Sequence, residues 1–382
     1  MRQLRDLDRE TRAVCLGART TLDPATADAL ASLVGGGLDW DRMWDLGHRH
    51  DVLPLLAESL GSVAPSVTDS PGRSTVPTDW LERATRRRHV TLLKNARMAE
   101  ALQAVLAGLA DADVPAMPVK GLVLAEALYG SLGSRGAADL DVLVHPSDLD
   151  AGRRVLVDLG YRQRPEPTFT ALVHEFHDPP WYVAMGNEPV RLELHRDLWA
   201  DRFFRSDADG LWARSVEGTL LGRPTRLLSW DDTLIHLAIH RSRSPLRLRW
   251  VCDIAELIRR HGPELDWDAI ASRTERVGAR TSTWVVLSMA QRFLGAEPPP
   301  GTLERFRIGR AKAALLERTC GGDATFRVAP PGDTDQTPHL TLRVFEQDGA
   351  GQIARALGSS IRRSTRRILH DAGVHRVRPG AT

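Results

Sequence analysis

The sequence predicts an α+β protein, with a sheet-containing core over 78–228 flanked by helical N- and C-terminal regions. Apolar residues recur at helical spacing in the first sixty residues and again from Ser229 to about residue 319. Between these regions, short extended runs alternate with helical ones. Two of those runs, ADLDVLV and VRLELH, interleave acids with aliphatic residues in the period-2 pattern of half-buried strands.

A chain of 382 residues has room for two or three structural units. Charged residues make up 26% of it but cancel to +2, so the overall field neither demands nor excludes nucleic acid. No stretch is apolar enough to span a membrane, and the opening MRQLRDLDRE has charges where a signal peptide needs an apolar core, so a cytoplasmic location is expected. Cys15, Cys252 and Cys320 are widely scattered, without the spacing of a zinc knuckle or redox pair, and are expected as reduced packing residues.

Region 1–77 is predicted helical. WDRMWDLGHRHDVLPLLAESL places Trp40, Met43, Trp44, Leu46, Val52, Leu55 and Leu56 largely at three- and four-residue intervals. The Ser/Pro/Gly-rich stretch 61–77 lacks periodicity and is predicted to be a flexible link. A long helix follows from about Asp79 to Asp111, with an apolar stripe of Leu102, Val105, Leu106 and Leu109 and a solvated run of Arg86, Arg87 and Arg88.

Within the core, residues 114–119 and 139–144 are predicted extended and 122–130 and 147–159 helical. Ser147 is the expected N-cap of the second helix and Gly160 its terminator. Val190–His195 supplies another strand, and 229–328 forms the C-terminal helical region. The tail, 329–382, carries a basic amphipathic segment in which Arg355, Arg362, Arg363, Arg366 and Arg367 oppose Ile353, Leu357, Ile361, Ile368 and Leu369. A solvated face accounts for it, as does contact with an acidic partner, an anionic membrane surface or RNA.

In ADLDVLV a strand would bury Leu140, Val142 and Val144 and display Asp139 and Asp141 on the other face. Their α-carbons would lie roughly 6.5 to 7 Å apart, close enough to converge on a metal pair about 3.5 to 4 Å apart. A divalent ion would offset their repulsion. The competing reading is an edge strand that uses charge to prevent pairing.

The upstream segment VPAMPVKGLVLAEALYG favours the first reading. There an extended run ends at Lys120-Gly121, a helix starts at once, and a glycine lets backbone N–H groups approach an anion while Lys120 adds positive charge. Ser131, Ser134 and Arg135 lie in the loop that leads into the aspartate strand, and the Arg135 fork suits a phosphate. Glu193, between Leu192 and Leu194, is the third carboxylate candidate. His195 would share its strand face, as a supporting partner, as an acceptor-site residue or as packing.

These segments resemble the uncharacterised nucleotidyltransferase family of the DNA polymerase beta-like superfamily, whose members often sit in bacterial biosynthetic gene clusters. The resemblance rests on VKGLVLAEALYG, SRGAADLDVLV, DLGY, RLELHRDLW and DTLIHLAIHRSRSPLRLRWVCDIAELI, spanning roughly residues 40 to 300. It implies a nucleotidyltransferase-fold mixed sheet, with Asp139 and Asp141 as metal-binding acids, Glu193 as the third, and Lys120 with Gly121 as the triphosphate-facing turn. Ser134 and Arg135 join the nucleotide-binding set. The chain departs from the wider superfamily at that turn, where Lys120-Gly121-Leu122 offers no hydroxyl.

The activity implied is Mg2+- or Mn2+-dependent transfer of a nucleoside monophosphate from a triphosphate to a small-molecule, peptide or protein acceptor. Nucleic acid is not an expected partner. A nucleotide-binding sensor or scaffold without turnover, and a helical partner-binding protein, are the alternative readings.

Other motifs weigh less. His236 and His240 share a helix face and could bind a metal, contact a phosphate or simply pack and hydrogen-bond, with His240 the stronger candidate for a supporting role because it lies in a family landmark. His174 and His177 stand three apart, not the four a zinc-protease helix needs. Phosphate-loop, dinucleotide and nucleophile-elbow motifs are absent from the sequence.

Overall fold

The computed structural model describes residues 4–68, 74–163, 182–187, 190–199, 204–243, 247–320, 326 and 348. His174, His177, the side chain of Cys320 and the basic segment 353–369 lie outside the described residues.

Helices α1 (Arg9–Gly17), α2 (Pro24–Gly35), α3 (Trp40–Arg49) and α4 (Leu53–Thr68) form the N-terminal region. Their starts are written in the sequence. Asp8, Asp23 and Asp39 accept the backbone N–H of Thr11, Thr26 and Arg42, satisfying amides the helix itself leaves open. Each such cap is worth about 1 kcal/mol.

The predicted link at 61–77 is corrected in its first half, because α4 continues through Thr68. Pro65 cannot donate to the Gly61 carbonyl, but Val63 is buried in the core and α4 packs on α5 (Thr78–Asp111). Tertiary burial outweighs local composition there. Arg88 on α5 pairs with Glu58 of α4, so the expected arginine run is solvated only at Arg86 and Arg87.

A five-stranded mixed sheet follows, ordered β1-β2-β5-β4-β3. Its strands are β1 (Ala116–Val119), β2 (Leu140–Val144), β3 (Arg162–Gln163), β4 (Tyr182–Asn187) and β5 (Val190–His195). Strand β2 is antiparallel to β1 and parallel to β5, so it is an interior strand and the edge-strand reading fails. Helix α6 (Gly121–Ala127) joins β1 towards β2, and α7 (Leu149–Asp158) follows β2.

The alternation divides the sheet's two faces. Leu140, Val142, Val144, Leu192 and Leu194 pack with Met98, Leu102, Val105 and Leu109 of α5 and Leu156 of α7. Met117, Val119 and Leu143 belong instead to the larger core shared by the N- and C-terminal helices. Ser147 is corrected as a helix cap. It sits inside a short 3-10 turn, Pro146–Asp148, and α7 begins after it. Gly160 ends that region with φ +88, as expected.

Helix α8 (Ala208–Ala213) precedes a hairpin of β6 (Val216–Leu220) and β7 (Arg223–Leu227) that the sequence did not announce. Its two-residue turn has positive φ at both Leu221 (+53) and Gly222 (+76), a geometry usually signalled by Asn-Gly or Asp-Gly. The Leu221 N–H donates to Glu126 of α6 (2.8 Å) and its carbonyl accepts from Gln103 of α5 (3.2 Å). Helices α9 (Trp230–Arg243), α10 (Leu248–His261), α11 (Trp267–Val277), α12 (Arg280–Leu294), α13 (Thr302–Arg305) and α14 (Arg310–Cys320) complete the described chain. Cys15 and Cys252 are buried and free, as packing residues should be.

Candidate active site

Strand register brings the separated acids together. Asp141 on β2 lies opposite Glu193 on the parallel strand β5, and Leu143 lies opposite His195. Opposed residues project on one side of a sheet, so Asp141, Glu193 and His195 share the face away from the Leu140–Val142–Val144 layer. His195 Nε2 is 2.9 Å from Asp141 Oδ1 and 3.4 Å from Glu193 Oε2. One ligand atom each from Asp141, Glu193 and His195 falls within 4.8 Å of the others. Asp141 and His195 are buried, whereas the Glu193 side chain is 28% exposed and gives the cluster its solvent side.

Val119 is the cross-strand neighbour of Asp141, so continued alternation would send Lys120 to the opposite face. It does not, because Lys120 leaves the strand with φ +53 and ψ −137, a region side chains rarely adopt. The break turns its ammonium back onto Asp141, 2.8 Å from Oδ1. Gly121 follows with φ +32, and a Cβ there would sit 3.5 Å from the Asp139 carbonyl. The turn therefore borders the aspartate strand. Helix α6 is only seven residues long, so its dipole adds little and the positive character of the turn rests on Lys120.

The charges respond to one another. Burial pushes the Asp141 carboxyl up, but the Lys120 ammonium and the His195 hydrogen bond more than reverse this and hold it well below the usual carboxylate range. Burial alone would depress His195 and Lys120; the neighbouring carboxylates, Asp141 foremost, raise both instead. Half-buried Asp139 is raised to about 6, by burial first and then by repulsion from Asp141, with Lys120 opposing. Asp139 is thus the one carboxylate of the group whose ionised form burial and its acidic neighbour disfavour. Two carboxylates and an imidazole converging at short range form a donor set suited to a divalent ion, and the pressure on Asp139 is the kind such an ion relieves. The convergent set includes His195, and Asp139 stands beside it. The sequence reading had Asp139 as a ligand and His195 as support.

The loop before β2 differs from expectation. Arg135, expected at a phosphate, is buried and engaged by Asp253 of α10 through Nε–Oδ1 (2.7 Å) and Nη2–Oδ2 (2.8 Å). Its Nη1 donates to the Gly121 carbonyl (3.0 Å), so Arg135 props the turn rather than capping an anion. Tyr129 also donates to Asp253 Oδ1 (2.7 Å). Ser134 donates to Glu58 Oε1 (2.8 Å), and Ser131 Oγ accepts from Gly133 N–H (3.1 Å), so both hydroxyls serve the loop. Asn95 of α5 donates to the Leu132 and Arg135 carbonyls (2.7 Å each) and accepts from Ala137 N–H (3.1 Å).

His240 packs edge-on against Trp250 with ring centroids 4.7 Å apart, and the Arg249 guanidinium lies 4.1 Å from the same ring. Arg249 in turn donates to the Gly136 carbonyl (3.1 Å). Contacts therefore run from His240 through Trp250 and Arg249 to the loop before β2. The supports Asp253, Asn95 and Glu58 were not identified from sequence. Asp253 alone left a trace, as an acid inside the apolar run VCDIAEL of an amphipathic helix.

A family model described as uncharacterised nucleotidyltransferase matches residues 36–295. Among solved structures, the solution structure of the antibiotic-resistance factor ANT(2'')-Ia is 16% identical over 44% of this chain and 87% of its own, with a TM-score of 0.34. The crystal structure of ANT(2'')-Ia with adenylyl-2''-tobramycin is 16% identical over 47% of this chain and 98% of its own, with a TM-score of 0.36. No curated protein matches the chain.

Proposed function

Because the chain belongs to the uncharacterised nucleotidyltransferase family, we propose that it transfers a nucleoside monophosphate from a triphosphate to a hydroxyl or amine of a small molecule, peptide or protein. One observation carries the reading: Asp141 and Glu193, far apart in sequence, meet across parallel strands beside the Lys120-Gly121 turn.

Asp141, Glu193 and His195 would hold a divalent ion, Mg2+ or Mn2+, with Asp139 adjoining. Such an ion, when bound, neutralises charge on the triphosphate and steadies the departing pyrophosphate. Lys120 supplies positive charge to the phosphates, and Gly121 keeps the backbone there free of a side chain. The acceptor attacks the α-phosphorus, the bond to the pyrophosphate oxygen breaks, and the acceptor proton passes to a base. Glu193, the most accessible of Asp141, Glu193 and His195, would receive it. Arg135 and Ser134 act indirectly, by fixing the turn and the loop.

A second reading, a nucleotide sensor without turnover, draws support from the Lys120-Gly121-Leu122 turn, which has no hydroxyl, and from Ser134, whose hydroxyl is spent on Glu58. Pyrophosphate release from each nucleoside triphosphate, with Mg2+ or Mn2+ and candidate acceptors, separates the two. Release supports transfer; tight binding without release supports the sensor. No helix among the described residues is long and apolar enough to cross a membrane.

A further inference from the structure

Asp141 Oδ1 is the most contested atom in the site. Lys120 Nζ approaches it to 2.8 Å and His195 Nε2 to 2.9 Å. The carboxylate is 2% exposed and the Lys120 side chain 11%, so water contributes little to neutralising either. A buried carboxylate needs a cationic partner, and Lys120, beside His195, is placed as that partner. Its placement is enforced by the backbone, since without the positive-φ conformation at Lys120 strand alternation would direct it to the other face.

We propose that Lys120 is the site's resident counter-ion, which neutralises Asp141 before a divalent ion binds and moves its ammonium to the triphosphate when that ion takes Asp141. The inference rests on the nucleotidyl-transfer reading and assigns an order to it. An ammonium on the oxygen that a divalent ion requires opposes that ion by like-charge repulsion. A triphosphate removes the opposition by offering the ammonium another partner, which the flexible lysine stem can reach. Ion and nucleotide then favour each other's binding, and that coupling is reciprocal.

The test is a calorimetric titration of Mn2+ into the full chain without nucleotide, for wild type, Lys120→Met and Lys120→Arg. Lys120→Met should bind Mn2+ at least about fivefold more tightly than wild type, because a repelling charge is gone. Lys120→Arg, which keeps the charge, should stay near wild type. With Mn2+ saturating, a non-hydrolysable triphosphate analogue should bind Lys120→Met more weakly than wild type.

Equal or weaker Mn2+ binding by Lys120→Met would overturn the counter-ion role and leave nucleotidyl transfer standing. Absence of Mn2+ binding by wild type and Lys120→Met alike would overturn both. Should Lys120→Met fail to fold, nitrogen NMR of the lysine ammonium in wild type decides. Its resonance should shift on adding Mg2+ and the analogue together, and an unchanged resonance overturns the proposal.

Discussion

Arg135 and Asp253, separated by 118 residues, form a buried bidentate ion pair whose free edge reaches the Gly121 carbonyl. The pair ties the C-terminal helices to the turn beside the acids. Burial alone would lower the Arg135 pKa, but Asp253 raises it beyond its ordinary value, so the charge persists throughout the accessible pH range. Removing one member leaves the other charged and unpaired, and Asp253→Asn should cost about 3 to 5 kcal/mol in chemical denaturation. Replacing both, as Arg135→Met with Asp253→Leu, should restore part of that stability while nucleotide turnover stays low, because the Gly121 carbonyl then loses its Arg135 donor. Full turnover in the double variant would show that the pair only stabilises the fold.

Glu193 and Asp141 should separate function from stability in opposite proportions. Glu193 is partly exposed and Asp141 buried. Glu193→Gln is expected to weaken Mn2+ binding by at least about tenfold, the scale set by loss of even an outer-shell partner. Its stability should fall less than that of Asp141→Asn, whose carboxylate is buried against Lys120 and His195. Unaltered Mn2+ affinity, measured by titration, would remove Glu193 from the ligand set.

His50 makes stability depend on pH. It is buried, its Nδ1 accepts the Leu248 N–H (3.1 Å), and its pKa is lowered to about 3, by burial first and then by Arg49 and Arg247. Between that value and the unperturbed 6.5, the unfolded chain binds a proton that the folded chain refuses. The contribution is therefore complete above pH 6.5 and lost as pH falls towards 3. The slope approaches about 1.4 kcal/mol per pH unit. Urea denaturation from pH 7 downwards should show a shallower loss for His50→Asn than for wild type. Identical slopes would mean that His50 is protonated in the fold.

Much of this site could be read from the sequence because strand alternation is a local property. ADLDVLV and VRLELH each announced one aliphatic face and one acidic face, and the folded sheet has both. What could not be read was pairing over distance. Nothing local says that Asp141 opposes Glu193 in parallel register, or that Arg135 is claimed by an aspartate on a remote helix. A guanidinium near a glycine turn looks the same whether it faces phosphate or Asp253. Residues 61–68 failed for a related reason, since Ser, Pro and Gly suggest a loop, whereas α4 as a whole packs on α5 and the other N-terminal helices. The Leu221-Gly222 turn escaped notice because leucine seldom takes the left-handed conformation it adopts there.

The central claim, that Asp141 and Glu193 together serve transfer of a nucleoside monophosphate, is tested most directly with α-labelled nucleoside triphosphates. Wild type, Asp141→Asn and Glu193→Gln are each incubated with Mn2+ and an acceptor pool. Wild type should move label from triphosphate to acceptor, and each substitution should lower the rate by at least about a hundredfold, as misplacing a reacting group does. Label transfer that proceeds undiminished in Asp141→Asn would contradict the account.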